Sequence, residues 1–339
     1  MNDSEEPDSS PGSTAALAII EPATGFPVPA MIAAAGERAS LRFIDFFTAH
    51  IRNSNTRAAY GVAVRAFFDW LQMNGVAELG AIRTHHVSTY VELLTKGYSA
   101  PTVKQHLAAI RRLFDWLIVG QVVSQNAAAP VRGPTHVVKK GKTPVLLGDE
   151  ARTLLDSIDV STIVGLRDRA LIALPIYSFA RISAALQMNV DDYYPQGKRW
   201  WVRLHEKGGK QHEMPAHHLL EHYLDAYVTA AGLALERNAP LFPTLGGRGR
   251  KQLTGDRMSR QDARRMIVRR AAKAGLLTRI GCHSFRATGI TVYLLNGGLL
   301  EYAQQMAAHE SARTTKLYAA ATTRSRSIRS SGLCCNIIH

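Results

Sequence analysis

The sequence predicts a mainly α-helical protein of two domains, with one small antiparallel β-sheet in the second domain. Three observations lead to this fold class. Apolar residues recur at three- and four-residue spacing through most of the chain, which is the period of amphipathic helices. Two short strand-like segments are joined by a glycine turn. A stretch rich in proline, glycine and basic residues separates the two helical regions.

The first helical region, residues 39–129, predicts a compact four-helix domain. Its amphipathic segments are SLRFIDFFTAHI, NTRAAYGVAVRAFFDWLQMNG, THHVSTYVELLTKG and SAPTVKQHLAAIRRLFDWLIVGQ. Ser54, Thr84 and Ser99 are candidate N-caps for three of these helices. Residues 1–38, rich in Ser, Pro, Ala and acidic residues, have the composition of a disordered tail.

The second helical region, residues 145–320, is predicted to surround the small sheet. Helical periodicity is present in GDEARTLLDSI and GLRDRALIALPIYSFARISAAL, and again over about residues 217–235, 259–275, 283–296 and 299–308. RWWVRLHE and HEMPA are interpreted as strands joined by the tight turn KGGK. Residues 321–339 lack amphipathic periodicity and are interpreted as an irregular tail.

The charge of the chain indicates a polyanionic partner. The 339 residues carry a formal net charge of +14, which favours nucleic acid first and an acidic membrane surface second. Residues 255–330 contain 14 Lys and Arg against four acidic residues, whereas residues 1–39 contain one basic residue against six acidic ones. The basic excess is therefore concentrated near the end of the predicted second domain.

Cysteine content and hydropathy favour a cytoplasmic protein. Cys282 is isolated and Cys334 and Cys335 are vicinal, so no disulfide framework is apparent. The apolar stretch over residues 15–35 is interrupted by Glu21 and three prolines, and acidic residues precede it. It therefore resembles neither a signal peptide nor a membrane span.

Basic residues of the first half are candidates for contacts with a phosphate backbone. Arg57, Lys104 and Arg111 lie on predicted helix faces, for which a solvated charged surface is the alternative interpretation. The linker of residues 130–144, PVRGPTHVVKKGKTP, is basic and suits a strap along a phosphate backbone, with solubility as the alternative. Its candidate contact residues are Lys139, Lys140 and Lys142.

Four pieces of the second region supply the groups that phosphoryl transfer needs. The reaction requires positive charge around the non-bridging oxygens, a proton donor for the leaving oxygen and an in-line nucleophile. Each piece alone has an ordinary structural explanation, such as an ion pair, a solvated turn, a helix cap or a half-buried aromatic. The residues are Arg181 late on an apolar helix, Lys207 in the KGGK turn, His283 and Arg286 in HSFRATG, and His309 nine residues before Tyr318.

Together and in this order, these residues resemble the tyrosine recombinase family, also called the phage integrase or Xer-like family. The resemblance covers about residues 40–320 and is densest in GLRDRALIALPIYSFARIS, KGGK, HSFRATGITVYLLNGG and AAHESARTTKLY. It implies an N-terminal core-binding domain of the SAM-like kind and a mostly helical catalytic domain. It also implies a duplex DNA recombination site as the substrate.

The resemblance implies a role for each residue. Tyr318 would attack a DNA phosphodiester and form a 3′-phosphotyrosyl link. Arg181 and Arg286 would hold the non-bridging oxygens, and His309 would add a hydrogen bond. His283 would help to remove the tyrosine proton, because a tyrosine hydroxyl ordinarily has a pKa of about 10.

The family also implies how the cycle ends. Lys207 would protonate the departing 5′-oxygen, and Lys210 and Arg313 are further DNA-contact candidates. The bond energy stays in the phosphotyrosine, so no cofactor, ATP or divalent metal is required. The 5′-hydroxyl of a partner strand reverses the step, and four protomers exchange strands through a Holliday junction.

The chain departs from the family pattern at three places. Ala184 stands where the family usually has an acid three residues after the first arginine, and Asp168 is the candidate substitute. Ala308 stands where a glycine often precedes the histidine. The tail RSRSIRSSGLCCNIIH does not resemble the amphipathic helix with which members dock on a neighbouring protomer, so assembly is less well supported than chemistry.

The sequence also allows other functions. A type IB topoisomerase uses similar residues to relax DNA without strand exchange, and a DNA-binding relic of a mobile element would have lost catalysis. Retention of the whole catalytic series argues against a relic. A metal site is not predicted for His212, His217, His218 and His222, because an H-E-x-x-H pattern and a nearby cysteine are both lacking.

Overall fold

The computed structural model describes residues 27–136, 143–206, 209–247, 249 and 252–318. The chain divides into two compact units, Met1–Val137 and Val138–His339, each with its own hydrophobic core. Helices dominate both units and the strands are short, so the predicted fold class is confirmed. No helix in the described ranges is both long and apolar enough to cross a membrane.

The first unit is a helical bundle. Its phenylalanine-rich sequence fills the centre, because the aromatic residues recur on the inward faces of the helices. Burying each such ring contributes about 1.5–3 kcal/mol. Its helices are α1 (Ala30–Ala34), α2 (Glu37–Asp45), α3 (Ser54–Met73), α4 (Thr84–Gly97) and α5 (Ala100–Val119). The almost fully buried rings include Phe43, Phe46, Phe47, Phe67 and Phe114.

Helices α2 to α5 correspond to the four predicted segments, with α2 continuing into a π-helical segment, Phe46–His50. The N-cap of α3 is Asn53, whose side chain accepts from the Thr56 backbone N–H at 3.1 Å, one residue before the predicted Ser54. Helix α1 lies inside the predicted tail, and its Met31 and Ile32 are buried. The folded unit thus begins before residue 39, the predicted boundary.

The segment after α5 packs back onto the first unit. Ala127, Ala128 and Val131 are buried against its core. The Arg111 guanidinium holds this segment by donating to the Ala128 carbonyl at 3.1 Å and to the Val131 carbonyl. The predicted linker therefore begins within the folded unit, and its Lys139, Lys140 and Lys142 lie outside the described residues.

The second unit packs helices around a three-stranded sheet. Its core combines the apolar helix α7 with the inward faces of the sheet and of the neighbouring helices. Residues 312–318 form a further helical segment near the end of the described chain. The helices are α6 (Gly148–Asp156), α7 (Ile163–Tyr177), α8 (Ile182–Gln187), α9 (His218–Ala230), α10 (Arg260–Lys273), α11 (Cys282–Leu295) and α12 (Leu300–Met306).

The strands form two antiparallel sheets, one more than the sequence predicts. In the first sheet β2 lies between β1 and β3, so that Trp201 pairs with Tyr194 on one side and with Pro215 on the other. The strands are β1 (Tyr193–Gln196), β2 (Arg199–His205), β3 (Gln211–Pro215), β4 (Pro243–Gly246) and β5 (Gln252–Arg257). Strand β1 and the β4–β5 hairpin were not predicted, because their short polar sequences lack alternating hydrophobicity.

The long helix predicted through GLRDRALIALPIYSFARISAAL is two helices, α7 and α8, with a break over residues 178–181. Phe179 has a φ of +56°, which no α-helix accommodates. Helix α11 crosses the end of α7 at Gly289, where an added Cβ would lie 2.0 Å from the Ile176 carbonyl oxygen. Apolar periodicity continues across the break, so sequence alone does not locate it.

Candidate active site

Three aromatic side chains from separate elements converge at the end of the described chain. The Tyr318 hydroxyl, in the helical segment of residues 312–318, lies 3.2 Å from Nε2 of His283 in the first turn of α11. The His309 ring, just after α12, stacks on the Tyr318 ring with centroids 5.9 Å apart and an interplanar angle of 5°. A nucleophile candidate and two potential proton carriers or donors therefore share one site.

Arg286, one turn after His283 on α11, forms the floor of this site. Only 1% of its surface is exposed. Its Nη1 donates to the Phe179 carbonyl and its Nη2 to the Ala307 carbonyl, while its buried Nε has no hydrogen-bond partner. Burial, and next the nearby Arg181, lower the pKa of Arg286 to about 10, so the guanidinium stays charged at neutral pH.

The two carbonyls that Arg286 holds lie beside unusual backbone. Phe179 has a φ of +56° and Ala308, which follows Ala307, has a φ of +45°. The backbone of residues other than glycine rarely adopts this left-handed conformation. The backbone at Ala308 thus gives a physical reason for a glycine there, and the Arg286 contacts help to hold the segments that lead into Arg181 and His309.

Arg181 is the N-cap residue of α8 rather than a late residue of a long helix. Its Nη1 donates to Oε2 of Glu206, the residue after β2. The Arg181 side chain is 37% exposed, whereas that of Glu206 is 5% exposed. One arginine nitrogen is therefore fixed by a buried carboxylate, while the guanidinium still reaches solvent.

Asp168 does not substitute for the missing acid at Ala184, contrary to the prediction. Its carboxylate is buried and accepts from Arg167 at 2.7 Å and from Arg270 at 2.7 Å. Among the described residues, the carboxylate that contacts Arg181 is that of Glu206. The sequence signal for this contact is the Glu directly before Lys207 of the turn.

The electrostatic field of the arginines acts on both histidines. Burial, followed by Arg286 and Arg181, lowers the pKa of His283. The same causes, with His283 added, lower the pKa of His309 to about 4. Both rings are therefore neutral at pH 7. A neutral His283 can accept a proton at Nε2 when the other ring nitrogen carries the hydrogen.

His309 is oriented by its own segment. Its Nδ1 lies 2.9 Å from the hydroxyl of Thr315, which is fully buried, and its backbone N–H donates to the Gln304 carbonyl at 3.1 Å. When Thr315 donates to Nδ1, the hydrogen is on Nε2 and the ring becomes a donor. Such a neutral donor suits an anionic oxygen in the site.

The structure brings Arg181, His283, Arg286, His309 and Tyr318 together, as the family resemblance implies. Lys207, the sixth candidate, lies outside the described residues. The nearest described residues on either side of Lys207 are Glu206 and Gly209.

The DNA-contact candidates differ in their environments. Lys104 and Arg313 are exposed. Lys210 is also exposed, and its Nζ lies 3.5 Å from Oε1 of Glu310. Arg57 donates from Nε and Nη2 to the Ile51 carbonyl at 3.2 and 3.1 Å, and Arg111 is also bound to carbonyls of its own unit. These two arginines hold backbone, so a DNA role for them stays a prediction.

No group of three or more His, Cys, Asp or Glu side chains within the described residues is arranged to hold a metal ion. His217 and His218 have ring centroids 4.1 Å apart, and His217 also stacks on Tyr177 at 4.6 Å. Burial, and next His218, lower the pKa of His217 to about 4. The histidine-rich stretch contributes ring packing at the start of α9.

Comparison with known proteins places the chain in a family. Residues 144–324 match the phage integrase family model, and residues 44–120 match its N-terminal SAM-like domain. The chain belongs to the phage integrase family. The family resemblance deduced from the catalytic series is thereby confirmed, and so is its enzyme class: this protein is a tyrosine recombinase, a site-specific enzyme that breaks and rejoins DNA.

This chain is similar to known tyrosine recombinases over most of its length. It is 30% identical over 275 residues to tyrosine recombinase XerD of Corynebacterium glutamicum, covering 78% of this chain and 87% of the relative. It is 30% identical over 250 residues to tyrosine recombinase XerC of Rhodospirillum centenum, covering 72% and 68%.

Solved structures share its fold. XerH recombinase bound to a palindromic difH substrate, in a post-cleavage complex, gives a TM-score of 0.67 at 18% identity, with 87% of this chain and 84% of XerH covered. A lambda integrase tetramer bound to a Holliday junction gives 0.61 at 16% identity, with 82% and 75% covered. At these identities the likeness concerns the fold alone.

Proposed function

We propose that Tyr318 is the nucleophile with which this recombinase cleaves one DNA strand at a specific site. The observation that carries the proposal is the 3.2 Å contact between the Tyr318 hydroxyl and Nε2 of His283, beside two arginines. A neutral histidine next to a tyrosine is suited to take the tyrosine proton. Positive charge nearby is suited to a phosphate.

In the proposed step the Tyr318 proton passes to His283 and the tyrosine oxygen attacks phosphorus. The bond between phosphorus and the 5′-oxygen breaks, which leaves a 3′-phosphotyrosyl link. Lys207 gives a proton to the departing oxygen and yields a 5′-hydroxyl, an assignment that rests on the resemblance of the KGGK turn to the family's motif. Rejoining is the same sequence in reverse, with the 5′-hydroxyl as nucleophile.

The charged groups of the site have separate tasks in this scheme. Arg286 is buried and still protonated at neutral pH, and its Nε is without a partner, so it can stabilise the charge that develops on a non-bridging oxygen. Arg181 reaches the same phosphate from the solvent side. His309, neutral at pH 7, donates a hydrogen bond to the phosphate.

DNA binding and assembly complete the proposal. Exposed basic residues such as Lys104 and Arg313 would contact phosphates, which position the protein without specifying sequence. The lambda integrase relative is a tetramer on a Holliday junction, and we infer the same synaptic arrangement for this chain. A DNA substrate also implies action in the cytoplasm, at the bacterial nucleoid.

Two rival functions differ from this one in measurable ways. A catalytically impaired relic would bind DNA without forming an adduct, and convergence of Tyr318, His283 and Arg286 argues against it. A topoisomerase-like enzyme would relax supercoiled DNA irrespective of any recombination site. Similarity to recombinases in both units favours strand exchange.

The test is to trap the covalent intermediate. The full chain is mixed with duplexes from the DNA that flanks its gene, each with a 5′-bridging phosphorothiolate at a candidate position. Wild type should give an adduct that resists denaturation by detergent. Tyr318→Phe should give none, while the control Tyr302→Phe, on an exposed tyrosine of α12, should match wild type.

An adduct that survives in the Tyr318→Phe variant would overturn the proposal. Relaxation of plasmids without a site would favour the topoisomerase alternative.

A further inference from the structure

Glu206 stands at the junction of the hairpin turn and the active site. It directly follows β2, and its backbone N–H donates to the Lys210 carbonyl at 2.8 Å. Its side chain is buried and its carboxylate accepts from Nη1 of Arg181. A buried carboxylate is costly unless it is paired, so this contact accounts for its presence there.

Ala184 stands where the family usually has an acidic residue, three residues after Arg181. Ala184 lies in the first turn of α8, where its backbone N–H donates to the Arg181 carbonyl at 2.9 Å, and it is buried. Its methyl group cannot accept a hydrogen bond. A guanidinium in this position therefore needs a carboxylate from another element.

Other acids of the second unit contact other basic residues. Asp168 is bound to Arg167 and Arg270, and Asp192 accepts from Arg203 at 3.5 Å and contacts His205 at 2.7 Å. Glu310 is exposed and lies beside Lys210. Among the described residues, Glu206 is the acid that contacts Arg181.

We propose that Glu206 is the positioning residue of Arg181 and replaces, from the hairpin turn, the acid absent at Ala184. The inference rests on the proposed function of the Tyr318 site. An arginine has five N–H donors in a fixed plane, so a carboxylate bound at Nη1 fixes that plane and leaves other donors for a phosphate. Because the Arg181 side chain is partly exposed, the donors that Glu206 does not use can reach a bound phosphate.

The charge of Glu206 also acts on the second arginine. Burial, and next repulsion from Arg181, lower the pKa of Arg286, while Glu206 acts in the opposite direction. A buried carboxylate thus lets two guanidinium groups share one site before a phosphate arrives. Because Glu206 precedes Lys207 in the chain, the contact also ties the start of the lysine turn to Arg181.

The first test is Glu206→Gln, which keeps the size of the side chain and removes its charge. Single-turnover adduct formation in the full chain should fall by about 10- to 100-fold, the effect expected when a functional group loses its outer partner. The dissociation constant for DNA should change by less than about 3-fold. The matched control is Glu213→Gln on β3, which breaks an exposed pair with Arg203 and should cleave like wild type. Glu206→Asp, which keeps the charge on a shorter arm, should fall in between.

A merely structural role is distinguished by a double-mutant cycle. In an Arg181→Ala background, adding Glu206→Gln should slow cleavage by less than about 2-fold, because a positioning residue has nothing left to position. A further loss of about 10-fold or more would mean that Glu206 acts independently of Arg181 and would overturn the inference. The thermal midpoint of each variant reports folding separately.

Rescue gives an independent readout. Adding Ala184→Glu to Glu206→Gln should restore cleavage by about 10-fold if the two positions supply the same carboxylate. A Glu206→Gln variant that folds and cleaves at the wild-type rate would overturn this inference and leave the proposed function intact. Absence of any adduct from wild type on a proven site would instead overturn the proposed function.

Discussion

Two arginine–carboxylate clusters in the second unit use the same chemistry for different purposes. At Asp168, Arg167 and Arg270 each donate twice to the carboxylate, and Arg167 also donates to the Pro243 carbonyl at 2.9 Å. These side chains are almost entirely buried. At Glu206, one nitrogen of Arg181 is bound and much of its side chain remains exposed.

The difference lies in the hydrogen-bonding capacity that is left over. The Asp168 cluster uses its donors on protein acceptors, so it stabilises the packing of α7, α10 and the β4–β5 hairpin. The Glu206 cluster keeps donors accessible, and the neighbouring Arg286 has a buried Nε without a partner. Burial and ion pairing are therefore common to both clusters, and what separates them is that the arginines beside Glu206 keep donors that no protein group uses.

The largest effect is expected at the closed cluster. Asp168→Asn should lower the free energy of unfolding by about 3–5 kcal/mol, because it leaves buried guanidinium groups without a countercharge. Urea unfolding of the full chain measures this change. Glu213→Gln, in an exposed pair with Arg203, should cost less than about 1 kcal/mol. Equal costs for the two substitutions would mean that the Asp168 cluster contributes no more than a surface pair.

At the open cluster the expected effect moves from stability to rate. Arg181→Lys keeps the charge and loses the planar fork, so adduct formation should fall by about 100-fold or more. The unfolding free energy should change by less than about 1 kcal/mol, since the side chain is partly exposed. Single-turnover cleavage and urea unfolding test the two halves of this statement. A variant that loses stability but cleaves normally would remove the distinction between the clusters.

Apolar periodicity was sufficient to predict the helical fold, whereas the convergent residues of the site were predicted from the resemblance to the tyrosine recombinase family. Helical spacing alone places His283 and Arg286 one turn apart and does not connect them to His309 or Tyr318. The break before Arg181 was not predictable, because it depends on α11 packing at Gly289 and on the Arg286 contact with Phe179.

Glu206 was missed for a related reason. It is 25 residues after Arg181, and the packing of β2 against α8 brings the two together. Asp168 lies on the same apolar stretch of sequence as Arg181, which makes it the local candidate. It is instead enclosed by the adjacent Arg167 and by Arg270 of α10, 102 residues later. Local spacing predicts neighbours along a helix and says little about contacts between elements.

Lowering the pH should reduce the free energy of unfolding of the second unit, because the fold lowers the pKa values of His309 and His217. The pKa of His309 is about 4 in the folded chain, against about 6.5 when unfolded, so between these values the unfolded chain binds more protons. Stability should therefore fall as pH drops from about 6.5 towards about 4, with a further share from His217. Urea midpoints at about pH 7.5, 6 and 5 measure this loss.

His309→Asn should reduce that acid sensitivity, while its stability difference from wild type at about pH 7.5 reports only the lost contacts with Thr315 and Tyr318. The share due to His217 should persist in the variant. Identical pH dependence in wild type and variant would mean that His309 has the same proton affinity in both states. No such histidine term is expected for the Arg167–Asp168–Arg270 cluster, where arginines supply the positive charge.

The smallest effect concerns the backbone that Arg286 holds. Ala308→Gly should raise the free energy of unfolding by up to about 1 kcal/mol, because Ala308 has a φ of +45° and glycine removes the Cβ conflict. The adjacent Ala307 is the matched control: its φ is −78° and it is buried, so Ala307→Gly should destabilise by about 0.5–1 kcal/mol. Urea unfolding of the two variants should therefore give shifts of opposite sign. Destabilisation by both would mean that residue 308 does not have a left-handed backbone in the folded chain. Opposite signs would show that the residue directly before His309 is conformationally strained, beside the Ala307 carbonyl that accepts from Arg286.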